Sequence, residues 1–93
     1  MFIFHSSRQM RLFLNSYRKQ SVQIGFIPTM GALHQGHISL IETAKKQSLL
    51  TVASIFVNPT QFNDAADYQN YPITIAQDIK MLEQTGCDLL FLP

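Results

Sequence analysis

Two histidines, His34 and His37, stand three residues apart in the segment 28–37, whose sequence is PTMGALHQGH. Imidazole N–H groups can donate hydrogen bonds to phosphate oxygens, and a protonated ring also neutralises their charge. Gly31 and Gly36 remove Cβ atoms where backbone and ligand approach each other. The segment therefore predicts a site that holds the phosphates of a nucleotide, where transfer at phosphorus depends mainly on positioning and electrostatics.

The flanking elements place this segment at a turn from a strand to a helix. The apolar run 24–27 predicts a buried strand, and the amphipathic run 38–46 predicts a helix. The start of a helix presents backbone N–H groups and the positive end of its dipole, and both favour anions. Because residues three apart share a helix face, we expect His34 and His37 to reach the same cleft.

A second segment with polar side chains is 54–62, with the sequence SIFVNPTQF. It indicates the end of a buried strand, followed by Asn58, Pro59 and Gln61. Ligands of open parallel sheets bind beyond the carboxyl ends of the strands, and carboxamides there can hydrogen-bond a small polar substrate. Asn58 has an alternative interpretation as a turn residue before proline, whereas glutamine has no such preference.

Zinc binding is the competing interpretation of His34 and His37. Zinc needs a third and usually a fourth ligand. The single cysteine, Cys87, has no second cysteine nearby, and His5 is distant in sequence. Phosphate contact is therefore the favoured interpretation, and no metal ligand is assigned. Cys87 is expected to be a small packing residue beside a strand.

The periodicity of the rest of the chain predicts an α/β fold. A leading helix capped near Ser6 has an apolar stripe, and a later helix starts near Thr74 and ends at Gly86. The stripe consists of Met10, Phe13, Leu14 and Tyr17. Strands are expected at 23–27, 50–57 and 88–92. The order is a leading helix followed by β-α-β-α-β, which corresponds to the N-terminal half of a doubly wound parallel (Rossmann-like) sheet.

Composition excludes several classes of protein. The 93 residues fit one small domain, and a net charge of +1 without a basic stripe argues against nucleic acid as a partner. No apolar run is long enough to span a bilayer, and a lone cysteine suits a reducing cytosol, so a cytoplasmic protein is expected. Only 14% of the residues are charged, which indicates that part of the surface is covered by self-association.

Segments 28–37 and 54–62, together with Tyr71 and Pro72, closely resemble the pantothenate synthetase (pantoate–β-alanine ligase) family of the nucleotidylyltransferase superfamily. The resemblance implies that ATP and pantoate form pantoyl adenylate, which β-alanine then attacks to give pantothenate, a precursor of coenzyme A. It implies Mg²⁺ bound with ATP and not by dedicated residues of this segment. It also implies a homodimer.

The resemblance also implies roles for individual residues. The ATP site would be lined by Met30, Gly31, Ala32, Leu33, His34, Gln35, Gly36 and His37. His37 would be the proton donor, and His34 would support the phosphates. Gln61 would hydrogen-bond pantoate, Asn58 would shape that pocket, and Tyr71 would order the loop over it. Ala66 and Ile73 depart from the family pattern in this loop.

Members of the family are considerably longer than this chain. We therefore expect residues 1–93 to form a single partial nucleotide-binding domain that lacks the C-terminal half and the lid domain and is inactive as a ligase on its own. Two alternatives remain open at this point. One is a non-catalytic, self-associating module, and the other is a nucleotidylyltransferase with a different substrate.

Overall fold

The computed structural model describes residues 1–47, 50–58 and 74–93. In these residues the chain order is β1 (Phe2–Phe4), α1 (Ser7–Lys19), β2 (Ile24–Thr29), α2 (Gln35–Gln47), β3 (Leu50–Ile55), α3 (Ile75–Thr85) and β4 (Leu89–Phe91). The strands form one parallel sheet in the order β1-β4-β3-β2. The predicted α/β class, with parallel strands joined through helices, is confirmed.

The strand β1 differs from the sequence-based expectation, which has a leading helix as the first element. The structure places a three-residue strand before that helix, with Phe2 opposite Leu89 and Phe4 opposite Phe91. Three residues are too few to show an alternating pattern. The pairing partner of this strand lies at the other end of the chain, so no local signal could reveal it.

Helices cover both faces of the sheet. On one face, α1 packs Leu14 against Leu50, Val52 and Leu89, and its predicted stripe joins the same cluster. On the other face, α2 and α3 pack against the alternate residues of the strands. The buried members of this second cluster are Ile27, Leu33, Ile41, Ala53, Ile55, Leu82, Cys87 and Leu90. All six residues of β3 are buried, as expected for a central parallel strand.

The helix ends show which capping signals were correct. The Ser6 side chain accepts a hydrogen bond from the Gln9 N–H at 3.3 Å, as predicted. Gly86 ends α3 in the left-handed conformation, with φ +87°. Thr74 precedes α3, but its side chain accepts no capping bond, and its hydroxyl donates to Asp78. The predicted packing role of Cys87 is confirmed by its burial, which also raises the pKa of its thiol.

The helix α2 begins earlier than the predicted run 38–46, at Gln35. Its first turn contains His37, and His34 lies immediately before it. The carboxyl ends of β2 and β3 lie side by side, with Thr29 paired to Ile55. The chain therefore leaves β2 and β3 at the same end of the sheet, where both segments singled out in the sequence begin to depart from it. No helix in the described ranges is long and apolar enough to span a membrane.

Candidate functional site

The turn between β2 and α2 is anchored to the neighbouring strand by Thr29. Its hydroxyl donates to the Ser54 carbonyl at 2.9 Å and accepts the Gly31 N–H at 3.1 Å. The next two residues have left-handed backbone, with φ +82° at Gly31 and φ +50° at Ala32. Glycine adopts this conformation easily and alanine does not, so the turn must be held by other contacts.

Those contacts come from Asp78, in the first turn of α3. Its carboxylate is 2% exposed and accepts the N–H groups of Ala32 and Leu33, each at 3.0 Å. The Thr74 hydroxyl lies 3.2 Å from both oxygens of the same carboxylate and donates to it. An aspartate in the first turn of a helix ordinarily signals only a favourable interaction with the dipole, so no pattern in the sequence pointed to this role.

The two histidine rings lie against each other, with centroids 4.2 Å apart. The His34 N–H donates to Nδ1 of His37 at 3.1 Å, and the Gly36 N–H donates to Nδ1 of His34 at 3.0 Å. A ring nitrogen that accepts a hydrogen bond carries no proton, so each neutral ring carries its proton on Nε2. Each ring can therefore donate one N–H bond to a ligand outside the turn.

The pKa of His37 lies below its ordinary value. Partial burial is the main cause, the neighbouring His34 acts in the same direction, and the charge of Asp78 opposes both. Burial disfavours the charged form of an imidazole. The neutral ring with its proton on Nε2 is therefore favoured near neutral pH, and its hydrogen-bond donor is retained without a positive charge.

The glycine between the histidines sits against one of the rings. A Cβ atom at Gly36 would lie 2.8 Å from Cε1 and 3.0 Å from Nδ1 of His34. A larger residue would push this ring aside or remove the N–H bond that holds it. The spacing His-x-Gly-His is thus explained by packing within the turn itself.

The backbone N–H groups of the turn are used internally. Those of Gly31, Ala32, Leu33, His34 and Gly36 all donate to acceptors within the protein. The expectation that free amides at the helix start would cradle an anion is therefore not met at these five positions. The amides fix the turn, and the two Nε2–H groups and the helix dipole are left to attract an anion.

A cavity of about 450 Å³ opens beside this turn at the carboxyl ends of β2 and β3. It is lined by Pro28, Thr29, Met30, His37, Ser54, Phe56 and Asn58. The structure thus brings His37 and Asn58 to one cavity. Met30 lines the same cavity, whereas His34 does not. Leu33 is buried in the core, and Gln35 is exposed at the start of α2.

A second cavity of about 460 Å³ shares Met30 and Phe56 with the first. It is lined mainly by apolar atoms and includes His5, Gly31 and Asp78. His5 hydrogen-bonds the Leu92 carbonyl through Nδ1 at 2.9 Å and does not line the His37 cavity.

Several predicted residues lie in 59–73, outside the described residues. These are Gln61 and Tyr71 as substrate contacts, and Ala66 and Ile73 as departures from the family pattern. In the described part of the chain, no three His, Cys, Asp or Glu side chains converge as metal ligands.

The sequence profile of the family described as "Pantoate-beta-alanine ligase" matches residues 2–93. This chain belongs to the pantoate–β-alanine ligase family. It is 53% identical over 93 residues to a pantothenate synthetase of Francisella tularensis subsp. novicida, and the match covers all of this chain and 35% of that protein. It is 51% identical over 88 residues to the pantothenate synthetase of Cytophaga hutchinsonii, and this match covers 95% of this chain and 31% of that protein.

Solved structures of the pantoate–β-alanine ligase family share the fold. The enzyme from Francisella tularensis, complexed with β-γ ATP and β-alanine, matches with a TM-score of 0.93 at 52% identity, over 100% of this chain and 35% of that one. A pantothenate synthetase from Thermus thermophilus matches with a TM-score of 0.83 at 38% identity, over 100% of this chain and 32% of that one. The chain spans about a third of the length of these relatives.

Proposed function

We propose that this chain supplies the nucleotide-binding turn of a pantoate–β-alanine ligase, which uses ATP to condense pantoate with β-alanine through pantoyl adenylate. The observation that supports this most directly is the pair of imidazoles, His34 and His37, each with Nδ1 occupied by a backbone N–H. Both rings thereby keep Nε2–H as a donor toward a ligand, and His37 lines the cavity at the sheet edge.

The proposed role of the two rings is to stabilise charge on phosphate oxygens. When the pantoate carboxylate attacks the α-phosphorus of ATP, negative charge grows on the nonbridging oxygens and on the leaving pyrophosphate. Hydrogen bonds from Nε2–H of His34 and His37 would strengthen as that charge develops, which lowers the barrier. His37 would donate a hydrogen bond from Nε2, and its role as the proton donor, which the resemblance implies, stays a prediction.

The acid substrate is proposed to bind in the cavity that His37 shares with Asn58. Asn58 has a carboxamide side chain, a group that can both donate and accept hydrogen bonds. The Francisella tularensis structure that matches this chain contains β-alanine as well as β-γ ATP. Binding of pantoate by Gln61, and ordering of the nearby loop by Tyr71, stay predictions.

Magnesium is proposed to arrive with the triphosphate. Within the three described ranges, acidic, cysteine and histidine side chains offer no group of three ligands for it. When bound, the ion would neutralise phosphate charge. The other proposed roles belong to residues of the chain.

The chain alone is proposed to bind nucleotide without running the whole reaction, because it spans about a third of the length of its relatives. Residues 1–93 as one partial domain, a cytoplasmic location and a homodimer are parts of the same proposal. A coupled assay tests it. AMP formation that needs both pantoate and β-alanine, at a rate typical of full-length relatives, would contradict the proposed incompleteness.

Isothermal titration with Mg·ATP tests nucleotide binding. We expect saturable binding that weakens about tenfold or more in His37→Phe, because the phenyl ring has no N–H donor and a hydrogen bond to a charged oxygen is lost. His5→Phe is the matched control, since His5 is a third histidine that does not line the His37 cavity. Equal affinity in all three proteins would reject the site.

A nucleotidylyltransferase with another substrate is the alternative that remains open. Pantoate binding distinguishes the two. Loss of pantoate binding in Gln61→Ala favours the ligase, and equal pantoate binding by the parent and the variant favours a different acid substrate.

A further inference from the structure

The buried carboxylate of Asp78 has no task in the reaction described above. It lies on α3, yet its hydrogen bonds reach Ala32 and Leu33, which are 46 and 45 residues away in sequence. A buried carboxylate is costly unless its oxygens are satisfied. Here two backbone N–H groups and the Thr74 hydroxyl satisfy it, so the group is held firmly against the turn.

The geometry of the turn depends on these bonds. Ala32 has φ +50°, a conformation that non-glycine residues keep only where surrounding contacts impose it. The N–H groups of Ala32 and Leu33 point to the two oxygens of one carboxylate, so a single side chain fixes two successive peptide units. Gly31 leaves room for this approach, because a Cβ atom there would lie 3.1 Å from Oδ2 of Asp78.

The residue that follows these two amides is His34, whose own N–H holds the His37 ring. Directly after Leu33, the His34 N–H donates to Nδ1 of His37, and this bond sets which nitrogen of that ring faces outward. A shift of the Ala32 and Leu33 amides would move the His34 N–H and, through it, the His37 ring.

We propose that Asp78 is a positioning residue of the nucleotide site, whose carboxylate holds the turn so that the Nε2–H groups of His34 and His37 converge on the phosphates. This inference rests on the proposed function. It assigns to Asp78 no contact with substrate. A negative charge near a phosphate site would by itself weaken nucleotide binding, so the two roles of this carboxylate, positioning and repulsion, predict opposite effects of removing it.

The first test is ligand-free amide hydrogen exchange on the 93-residue chain. In Asp78→Asn, we expect the Ala32 and Leu33 amides to exchange about tenfold faster or more, beyond any change in global stability, because one uncharged amide oxygen replaces the two carboxylate oxygens that accept these N–H groups. Asp88→Asn is the matched control. Its carboxylate also accepts a backbone N–H, from Thr51 at 2.9 Å, but on another part of the sheet. This control should accelerate exchange at Thr51 and leave Ala32 and Leu33 unchanged.

The second test is Mg·ATP affinity by isothermal titration. Asp78→Asn should bind about tenfold more weakly or worse, and Asp88→Asn should bind like the parent chain. The imidazole ¹⁵N shifts of His34 and His37 should change in the first variant and not in the second. Unchanged or tighter ATP binding in Asp78→Asn would overturn the proposal and leave the proposed function standing.

These measurements separate failure of the proposed function from failure of the positioning role of Asp78. If the parent chain binds no Mg·ATP, the nucleotide-binding role is wrong both for the proposed function and for Asp78. The exchange data still decide whether Asp78 holds the turn. If Asp78→Asn does not fold, Thr74→Val replaces it. This change removes the hydroxyl donor to Asp78, and severalfold faster exchange at Ala32 and Leu33 is expected. Exchange equal to that of the parent chain would then reject the positioning role.

Discussion

Two imidazoles at the start of α2 combine opposite requirements, since they must be firmly oriented and yet keep a donor for a ligand. The structure meets both by occupying Nδ1 of each ring with a backbone N–H. The sequence pointed to these two histidines because their spacing and the glycine between them are local. It did not point to Asp78, because the amides that this residue binds lie about half the chain away.

The stability of the fold is expected to depend on pH through His37. Its pKa in the folded state is lowered, so the unfolded chain binds a proton first as the pH falls. The stability present above about pH 6.5, the ordinary histidine value, is therefore lost as the pH falls through the lower folded pKa. Urea unfolding at a series of pH values from about 7.5 to about 5 should show a shallower loss in His37→Gln than in the parent chain.

Identical slopes in the parent chain and in His37→Gln would contradict the lowered pKa of His37.

Substitutions at two neighbouring residues of the turn should have different effects on the stability of the fold. Gly31→Ala should destabilise the fold by about 1–3 kcal/mol, because φ +82° is unfavourable for alanine and the added Cβ meets Asp78 and Ile55 at 3.1 and 3.2 Å. Ala32→Gly should leave stability unchanged or raise it by up to about 1 kcal/mol, since φ +50° suits glycine. Denaturant unfolding measures both, and losses of equal size would contradict the strain described at Ala32.

At the level of helices and strands, most of the fold followed from periodicity. The strands β2, β3 and β4 and all three described helices were expected, because the segment predicted for each has a pattern several residues long. The strand β1 was missed because it has three residues and pairs with the far end of the chain. The start of α2 was placed late because residues 35–37 are not apolar and contribute nothing to an apolar stripe, although they form its first turn.

The junction of α3 and β4 offers a test of helix termination. Gly86→Ala should destabilise the fold by about 1 kcal/mol or more, because the residue has φ +87° and the new Cβ would lie 2.7 Å from Nζ of Lys45. In a Lys45→Ala background the steric part of this loss should disappear and the backbone part should remain. Thermal unfolding of the parent, both single variants and the double variant checks this, and a loss that vanishes completely with Lys45→Ala would contradict the backbone part.

For the molecule as a whole, the exposed edge of the described sheet is the main feature that the site does not explain. The strand β2 is at one end of the sheet order, and beside it lies a groove of about 670 Å³ lined partly by Phe26 and Leu40. Both side chains are more than half exposed. Unpaired edges and apolar surface favour association, in keeping with the low charge content and the predicted homodimer.

Self-association is therefore expected to weaken when a residue that lines this groove is replaced by a charged one. Sedimentation of Phe26→Lys should show a larger fraction of single chains than the parent protein, because a charge at the edge opposes pairing. Leu12→Lys is the control, since Leu12 on α1 is 63% exposed but does not line the groove. A parent protein that sediments as single chains at all concentrations would contradict the predicted homodimer.

The nucleotide role of the turn is tested most directly by locating a bound ATP analogue. Long-range ¹H–¹⁵N spectra of the histidine rings, recorded with a nonhydrolysable analogue and Mg²⁺, report on each Nε2–H separately. We expect both His34 and His37 to stay protonated on Nε2 and their Nε2 resonances to shift in a saturable way, with His5 unchanged. Shifts confined to residues away from the turn, or a change of the proton to Nδ1, would contradict a phosphate site built on these two rings.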